Sequence, residues 1–155
     1  MTPVAFVTMT DDVATSDVLR MMQGLYAEDA AASAVDVSRF PLTIVRLLAD
    51  PSIGRIILFK RGDGVCGYAL LIPYWSNEFG GTLLFVDELF VDQAHRGQGI
   101  ARSFLTFLVE ERPYRAVALA LEVSPRNERA RRLYESLGFH QRHHEMLTRK
   151  LAPAV

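Results

Sequence analysis

The stretch "VDQAHRGQGIARSFL", Val91 to Leu105, places two glycines between an apolar, strand-like run and a helical pattern. Gly97 and Gly99 lie where the helix should begin, although glycine is a poor helix former. The first amides of a helix have no partner within the helix, and the helix dipole makes that end positive. Because glycine lacks a Cβ atom, an anion could approach these amides closely, and Arg96 would add a positive charge. The pattern indicates either a phosphate-binding turn or an ordinary glycine-rich connection.

Two familiar phosphate-binding motifs are excluded by the spelling of this turn. A P-loop requires the string G-x-x-x-x-G-K-[ST], which does not occur in the sequence. A dinucleotide-binding turn requires G-x-G-x-x-G after a first strand, whereas "GQGIAR" lacks the third glycine and falls late in the chain. If the turn binds an anion, it does so within another kind of fold.

The segments on either side of the turn predict the order of the secondary structure. An apolar, β-rich run at 82–91 precedes the turn, and an amphipathic helical pattern at 101–112 follows it. The other predicted elements are strands at 3–10, 54–60, 65–75 and 115–123, helices at 15–31, 38–50 and 127–137, and extended segments at 138–151. The fully apolar run at 115–123 predicts a central strand that is parallel to a neighbour. The order β-α-α-β-β-β-α-β-α-β predicts an α/β fold with helices flanking a mixed sheet.

The composition favours a single domain that spans residues 1–155. Half of the residues are hydrophobic, which is enough for one buried core, and the formal net charge is −1. This balance gives no sign of a nucleic-acid partner. The N-terminus lacks a signal-peptide pattern, and no apolar run approaches the ~20 residues that cross a bilayer. We therefore expect a cytoplasmic protein without a membrane partner.

Metal and disulfide chemistry are not expected from the sequence. The single cysteine, Cys66, lies in an apolar run and is interpreted as a core residue. His140, His143 and His144 cluster near the C-terminus, but no cysteine or acidic ligand accompanies them, so no metal is assigned.

Two motifs together resemble those of a known family. "RGQGIA" fits the signature R/Q-x-x-G-x-G/A through Arg96, Gly99 and Ala101, and the pattern N-x6-Y-x3-GF follows from Asn127 to Phe139. In this order, the motifs resemble the GCN5-related N-acetyltransferases, the GNAT superfamily, and most of all its polyamine (diamine) acetyltransferase branch. The resemblance is most specific over 83–139 and weak before residue 53. It implies a mixed, mostly antiparallel twisted sheet with a splayed parallel strand pair, flanked by about four helices.

The resemblance implies acetyl-CoA as co-substrate, with its pyrophosphate on the glycine turn. Its pantetheine arm would pair, like an added strand, with the strand that precedes the turn. A β-bulge near Asp87 to Leu89 would splay that strand from its parallel neighbour. The residues carried over for acetyl-CoA are Leu89, Phe90, Val91, Arg96, Gly97, Gln98, Gly99, Ile100, Ala101, Arg102, Asn127 and Ala130.

Tyr134, Asp87 and Glu88 are the candidate catalytic residues. Asn127, Ala130 and Tyr134 have the spacing i, i+3, i+7 and share one helix face, which is also typical of a stripe that merely faces the core. With the resemblance, Tyr134 becomes the candidate acid that protonates the leaving CoA thiolate. Asp87 and Glu88 are candidate bases for the acceptor amine, or else structural carboxylates that cap nearby backbone, and Glu122 is a weaker candidate.

The acceptor is expected to be a primary amine of a small molecule, polyamine-like or amino-acid-like. In the polyamine branch, an acidic pair after the first helix helps to bind the cation, and Glu28 and Asp29 occupy a comparable place, although they could equally be a solvated helix end. Trp75 could shape an acceptor pocket, cover the sheet edge or contact a second subunit. Acetylation of peptides, or a non-catalytic module that senses acyl-CoA, are the alternatives. Because family members often pair through C-terminal strands, a homodimer is also considered.

Overall fold

The computed structural model describes residues 2–28 and 35–152, in which five strands and four α-helices form. The strands are β1 (Ala5–Thr8), β2 (Arg55–Arg61), β3 (Gly64–Ser76), β4 (Gly81–Val91) and β5 (Ala118–Leu121). The helices are α1 (Thr15–Glu28), α2 (Phe40–Ala49), α3 (Ile100–Glu111) and α4 (Glu128–Ser136). The predicted order of elements is confirmed from β1 to α4.

All five strands belong to one sheet in the order β1-β2-β3-β4-β5. Neighbours pair antiparallel except β4 and β5, which pair parallel. The long β3 and β4 form the centre of this sheet and share the most extensive register, from Gly67↔Val91 to Ser76↔Gly81. The predicted mixed, mostly antiparallel sheet with one parallel pair is therefore confirmed.

The helices cover both faces of the sheet and form two cores. On one face, α1 and α2 bury Val18, Met21 and Ile44 against side chains of β2 to β4, among them Tyr68 and Phe90. On the other face, the apolar side of α3 packs on the sheet; its buried residues are Ile100, Phe104, Leu105 and Leu108. Successive strand residues point to opposite faces, so the central strands contribute side chains to both cores. Their sequences are therefore continuous apolar runs.

A β-bulge interrupts β4 at Asp87. Leu70 pairs with Glu88 and Leu71 pairs with Val86, so Asp87 is the extra residue on the bulged strand. The parallel pairing of β4 with β5 ends at the same level, with Val86 opposite Leu121. Beyond it, β4 continues to Val91 with β3 as its only strand partner among the described residues. The predicted bulge is present, and past Val86 the edge of β4 on the β5 side is left without a strand partner among the described residues; we call this open edge, Asp87 to Val91, the notch.

The C-terminal segment differs from its prediction. Residues 139–152 contain no helix or strand, although extended segments completing the sheet were expected from 138–151. Residues 140–152 are all exposed, since "HQRHHE" offers no apolar face to bury. As a consequence, β5 lies at the edge of the described sheet and not at its centre; its predicted parallel pairing is correct.

Other differences concern the ends of helices. α2 begins at Phe40, two residues after the predicted start, because a 3₁₀ turn, Val37–Arg39, precedes it. Asn127, predicted as the first residue of the last helix, is its N-cap. None of the described helices combines the length and apolar character that a bilayer span requires.

Candidate active site

The glycine turn has the conformation that an anion site needs. Gly97 and Gly99 have φ angles of 77° and 76°, in the left-handed region that favours glycine. Gly99 is the N-cap of α3, and its carbonyl accepts the helix's first hydrogen bond from the Ser103 amide at 2.9 Å. The amides of residues 100–102 therefore have no partner within the helix. A Cβ atom at residue 99 would meet nothing within 4 Å, so the space beside Gly99 is open.

α4 brings a second arginine to this turn. Arg129 Nη2 lies 3.8 Å from the position that a Cβ atom at residue 97 would take. Arg102 of α3 donates a hydrogen bond to Ser136 Oγ of α4 at 2.8 Å, which ties the two helices together. Sequence reasoning missed Arg129; the only signal was the arginine-rich run "RARR" that opens α4.

The Arg96 side chain contacts β4 and α1. Its Nε donates to the Val91 carbonyl at 2.7 Å, and its Nη2 forms an ion pair with Glu28 at 2.8 Å. The guanidinium lies over the ring of Phe90, 5.1 Å from the centroid. Arg96 thus joins the end of β4 to the end of α1, and Glu28 is engaged in this contact.

Polar contacts from two elements hold the loop between β4 and the turn. Arg20 of α1 forms a bidentate ion pair with Asp92 at 3.0 and 2.9 Å, and it holds the pKa of that carboxyl below its usual range. Arg61 at the end of β2 donates to Gln98 Oε1 at 2.7 Å and lies 3.2 Å from His95 Nδ1. The turn is therefore preorganised by side chains distant in sequence.

The end of β4 offers its backbone, rather than its side chains, to the notch. Phe90 is buried in the core under α1, and Leu89 packs against the core under α3. Past Val86 the edge that faced β5 has no strand partner among the described residues. An extended ligand could add to this edge as a strand does. The Val91 carbonyl already accepts a hydrogen bond from Arg96. The backbone groups of this edge that could bind a ligand are therefore those of the residues next to Val91 in β4.

Tyr134 places a half-buried phenol on α4. Its ring packs edge-on against Phe139 at 6.0 Å and joins the core under α3. Desolvation by burial raises the pKa of its hydroxyl, and no hydrogen bond joins that hydroxyl to another described residue. About two turns earlier, Asn127 Oδ1 accepts a hydrogen bond from the Ala130 amide at 3.0 Å and caps α4. Tyr134 is a neutral donor without a partner in the described chain, whereas Asn127 has a structural role, and its part in CoA binding stays a prediction.

Glu88 is held beneath the bulge by two tyrosines. Its carboxylate is buried, with 8% exposure, and accepts hydrogen bonds from Tyr26 at 2.8 Å and from Tyr68 at 2.7 Å. Desolvation raises the pKa of Glu88 in spite of these two bonds, which act in the opposite direction. Burial and the Glu88 charge raise the pKa of both tyrosine hydroxyls, so both remain donors. Sequence reasoning missed the two tyrosines, because they lie 62 and 20 residues from Glu88.

Glu88 and Asp87 line a cavity of about 360 Å³ between α1, α2 and β4, which we call the carboxylate pocket. Its charged lining also includes Asp36, Arg39 and, from the C-terminal segment, Lys150. Asp87 is exposed to it, and the pKa of its carboxyl is raised, first by partial desolvation and then by the charge of Glu122. The pocket therefore has acidic groups beside the bulge, where the notch begins.

The remaining candidates lie elsewhere. Trp75 is exposed near the end of β3 and does not line the carboxylate pocket. Asp29 lies outside the described residues. Across 2–28 and 35–152, no group of three His, Cys, Asp or Glu side chains is arranged to hold a metal ion.

A profile of the family described as Acetyltransferase (GNAT) domain matches residues 52–141. The chain therefore belongs to the GNAT acetyltransferase family, as its motifs predicted.

Known relatives agree with this class. The spermine/spermidine N(1)-acetyltransferase of Bacillus subtilis (strain 168) is 28% identical over 86 residues, which is 53% of this chain and 56% of that protein. The match thus spans little more than half the length of this curated relative.

Solved structures agree with the fold. An integron cassette protein from the mobile metagenome of Cole Harbour Salt Marsh has a TM-score of 0.78 and 27% identity, over 96% of this chain and 91% of that chain. An aminoglycoside N-acetyltransferase in complex with CoA has a TM-score of 0.78 at 13% identity, over 98% of this chain and 97% of that chain. At that identity the likeness to the aminoglycoside enzyme shows the fold alone.

Proposed function

We propose that this chain transfers the acetyl group of acetyl-CoA to a primary amine of a small cationic molecule, within a ternary complex. The observation that carries the proposal is the position of the Asp87 bulge. It lies where the notch begins, and it is also part of the wall of the carboxylate pocket. Strand β4 thus borders both the notch, which would hold the acyl donor, and the carboxylate pocket, which would hold a cation.

The residues of the glycine turn fit the pyrophosphate of the donor. Free amides at 100–102, the dipole of α3 and the Arg129 guanidinium all favour an anion there. Gly97 and Gly99 leave room for phosphate against the backbone. The donor supplies an activated thioester, and the edge of β4 from Leu89 to Val91 would align its extended arm with the bulge.

The carboxylate pocket would bind and deprotonate the amine. A protonated primary amine is attracted by Asp87 and Glu88, and it must lose a proton before it can attack. Asp87 is exposed and its pKa is raised, which suits a group that accepts a proton directly or through water. Glu88 is already bonded to Tyr26 and Tyr68, so its part is to provide a fixed negative charge.

Tyr134 would act at the other end of the reaction. Its hydroxyl has no partner among the described residues and stays protonated because burial raises its pKa. It can therefore donate a proton to the departing thiolate.

The relatives support a small cationic acceptor. The B. subtilis relative is named for spermine and spermidine, and the aminoglycoside enzyme shares the fold. Polyamines and aminoglycosides both carry several primary amines with positive charge. The pocket volume of about 360 Å³ suits a ligand of that size class.

A thiol-release assay with acetyl-CoA and a panel of polyamines, amino acids and aminoglycosides tests the proposal. We expect turnover with at least one cationic amine and a decrease of about 100-fold in kcat/KM for Asp87→Asn. The matched control is Asp63→Asn in the exposed β2–β3 turn, which should retain the activity. Tight CoA binding without turnover of any amine would show a sensor module instead. Preference for a peptide N-terminus over every small amine would redirect the proposal to peptide acetylation.

A further inference from the structure

The C-terminal residues 140–152, which we call the tail, lie outside both cores. They form no helix or strand, and residues 140–152 are exposed. Even the apolar side chains of the tail remain largely in solvent: Met146, Leu147 and Leu151 are 74%, 92% and 76% exposed. The position of the tail therefore does not come from burial of apolar surface.

Two basic residues connect the tail to the rest of the molecule. Arg142 forms an ion pair with Glu78 and lies over the ring of Phe79, 5.5 Å from its centroid, at the β3–β4 turn. Lys150 lines the carboxylate pocket, as Asp87 and Glu88 also do. The eight residues from 142 to 150 can span up to about 29 Å. The six steps of β4 from Gly81 to Asp87 measure about 20 Å, so the tail reaches the pocket with slack.

Charge explains why a lysine would enter this pocket. Arg39 forms an ion pair with Asp36 at 3.4 Å, so these two charges of the pocket lining cancel each other. Among the described residues, no ion pair joins Asp87 or Glu88 to a cation. Lys150 therefore brings a primary amine to a wall with an excess of negative charge.

We propose that Lys150 is an internal acetyl acceptor, so that the enzyme acetylates its own tail once per molecule. This inference rests on the proposed function of the same pocket. The ammonium of Lys150 loses a proton to Asp87, directly or through water. Its nitrogen then forms a C–N bond to the acetyl carbonyl carbon while the C–S bond breaks, and Tyr134 protonates the thiolate. The products are acetyl-lysine and CoA thiol.

Acetylation would also change the pocket. Acetyl-lysine carries no charge, so its attraction to Asp87 and Glu88 is lost. The tail, which has little apolar contact, would then leave the pocket to a free amine. Self-acetylation would in this way remove one positive charge from the lining of the acceptor pocket.

The sequence contains its own control for this proposal. Of seventeen basic residues only two are lysines, Lys60 and Lys150, and the rest are arginines that do not accept acetyl groups under these conditions. Lys60 lies in β2, where it pairs with Ala5 and Val65, and it does not line the carboxylate pocket. Because Lys60 is half-buried, it gives a lower bound on chemical acetylation without catalysis, and the Asp87→Asn chain gives that rate for Lys150 itself.

The experiment is to incubate the purified full chain with acetyl-CoA and to follow intact mass and peptide masses over time. We expect the mass of one acetyl group on Lys150, at a rate per molecule that does not change with protein concentration. Lys60→Arg should leave this signal in place, Lys150→Arg should abolish it, and Asp87→Asn should slow it at least tenfold.

Four outcomes would overturn the proposal. Equal labelling of Lys60 and Lys150 would show uncatalysed chemistry. A rate that rises with protein concentration would show transfer between molecules. An unlabelled Lys150 in a preparation that turns over small amines would refute self-acetylation while the proposed function stands, whereas no turnover with any amine would refute both.

Discussion

Tyr134 allows a sharp test at the level of one residue, because its hydroxyl carries the proposed catalytic role and its ring carries the packing role. Tyr134→Phe keeps the ring that packs on Phe139 and removes only the hydroxyl. We expect kcat to fall by about 100-fold, within the range for a lost general acid, while the Kd for CoA changes less than about threefold. Thiol release and a CoA titration measure the two quantities.

The control for this prediction is Tyr74→Phe, since Tyr74 is half exposed on β3 and away from the notch. It should leave both values unchanged. If Tyr134→Phe also keeps its full kcat, the hydroxyl is not the acid, and α4 contributes only the wall of the site.

At the level of elements, the β4–turn–α3 unit depends on the backbone of Gly99. Gly99→Ala would force a side chain into a φ of 76°, which costs about 1 kcal/mol of stability, and it would place a methyl group in the open space beside residue 99. We expect the Kd for CoA to weaken by about tenfold, measured by calorimetric titration.

Gly80→Ala is the matched control for this strain. Gly80 has a φ of 64° and also has nothing within 4 Å of its Cβ position, but it lies in the β3–β4 turn. The two variants should lose similar thermal stability, and only Gly99→Ala should lose CoA affinity. Equal affinity in both variants would mean that phosphate does not bind at the glycine turn.

The elements were predictable where a local pattern determines them. The period of apolar residues located β4 and α3, and the spelling of "RGQGIA" located the turn between them. The bulge at Asp87 followed from the resemblance to a family. The sequence did not predict that the C-terminal strand is missing. Pairing of residues 139–152 with β5 would require an apolar face to bury, and the sequence pattern of this segment does not supply one.

The candidate site was predictable only in part for the same reason. Asp87 and Glu88 attract attention because they are acids within an apolar strand. Tyr26 and Tyr68 give no such signal, since each is also a plausible core residue of its own element. The side-chain position of Arg96 depends on its ion pair with Glu28, which lies 68 residues away. Contacts of this kind are set by tertiary packing and not by local sequence.

At the scale of the whole molecule, two consecutive residues of β4 mark the point where the notch and the carboxylate pocket meet. Val86 ends the pairing with β5, and Asp87 follows at once as the bulge. The glycine turn lies at the end of β4, and the carboxylate pocket lies under α1 and α2 on one face. A notch in the sheet is the route by which a donor at the turn and an acceptor in the pocket could meet.

Burying Glu88 in this architecture has a cost that depends on pH. Its folded pKa is raised by desolvation above the ordinary value, so between the two values the folded state binds more protons than the unfolded state. Stability from this group is therefore present at low pH and falls as pH rises from about 4.5 through the folded pKa. Glu88→Gln removes the titration and keeps an oxygen that can accept one tyrosine bond.

We expect the free energy of unfolding of Glu88→Gln, relative to the unchanged protein, to rise with pH over this window. Each unit of raised pKa corresponds to about 1.4 kcal/mol. Urea titrations at a series of pH values measure the difference, and Glu110→Gln, on the exposed side of α3, gives the effect of removing a solvated carboxylate. The slope for Glu88→Gln should exceed that of the control. A slope of opposite sign would mean that the bonds from Tyr26 and Tyr68 outweigh desolvation, so that the molecule is built to keep this carboxylate ionised.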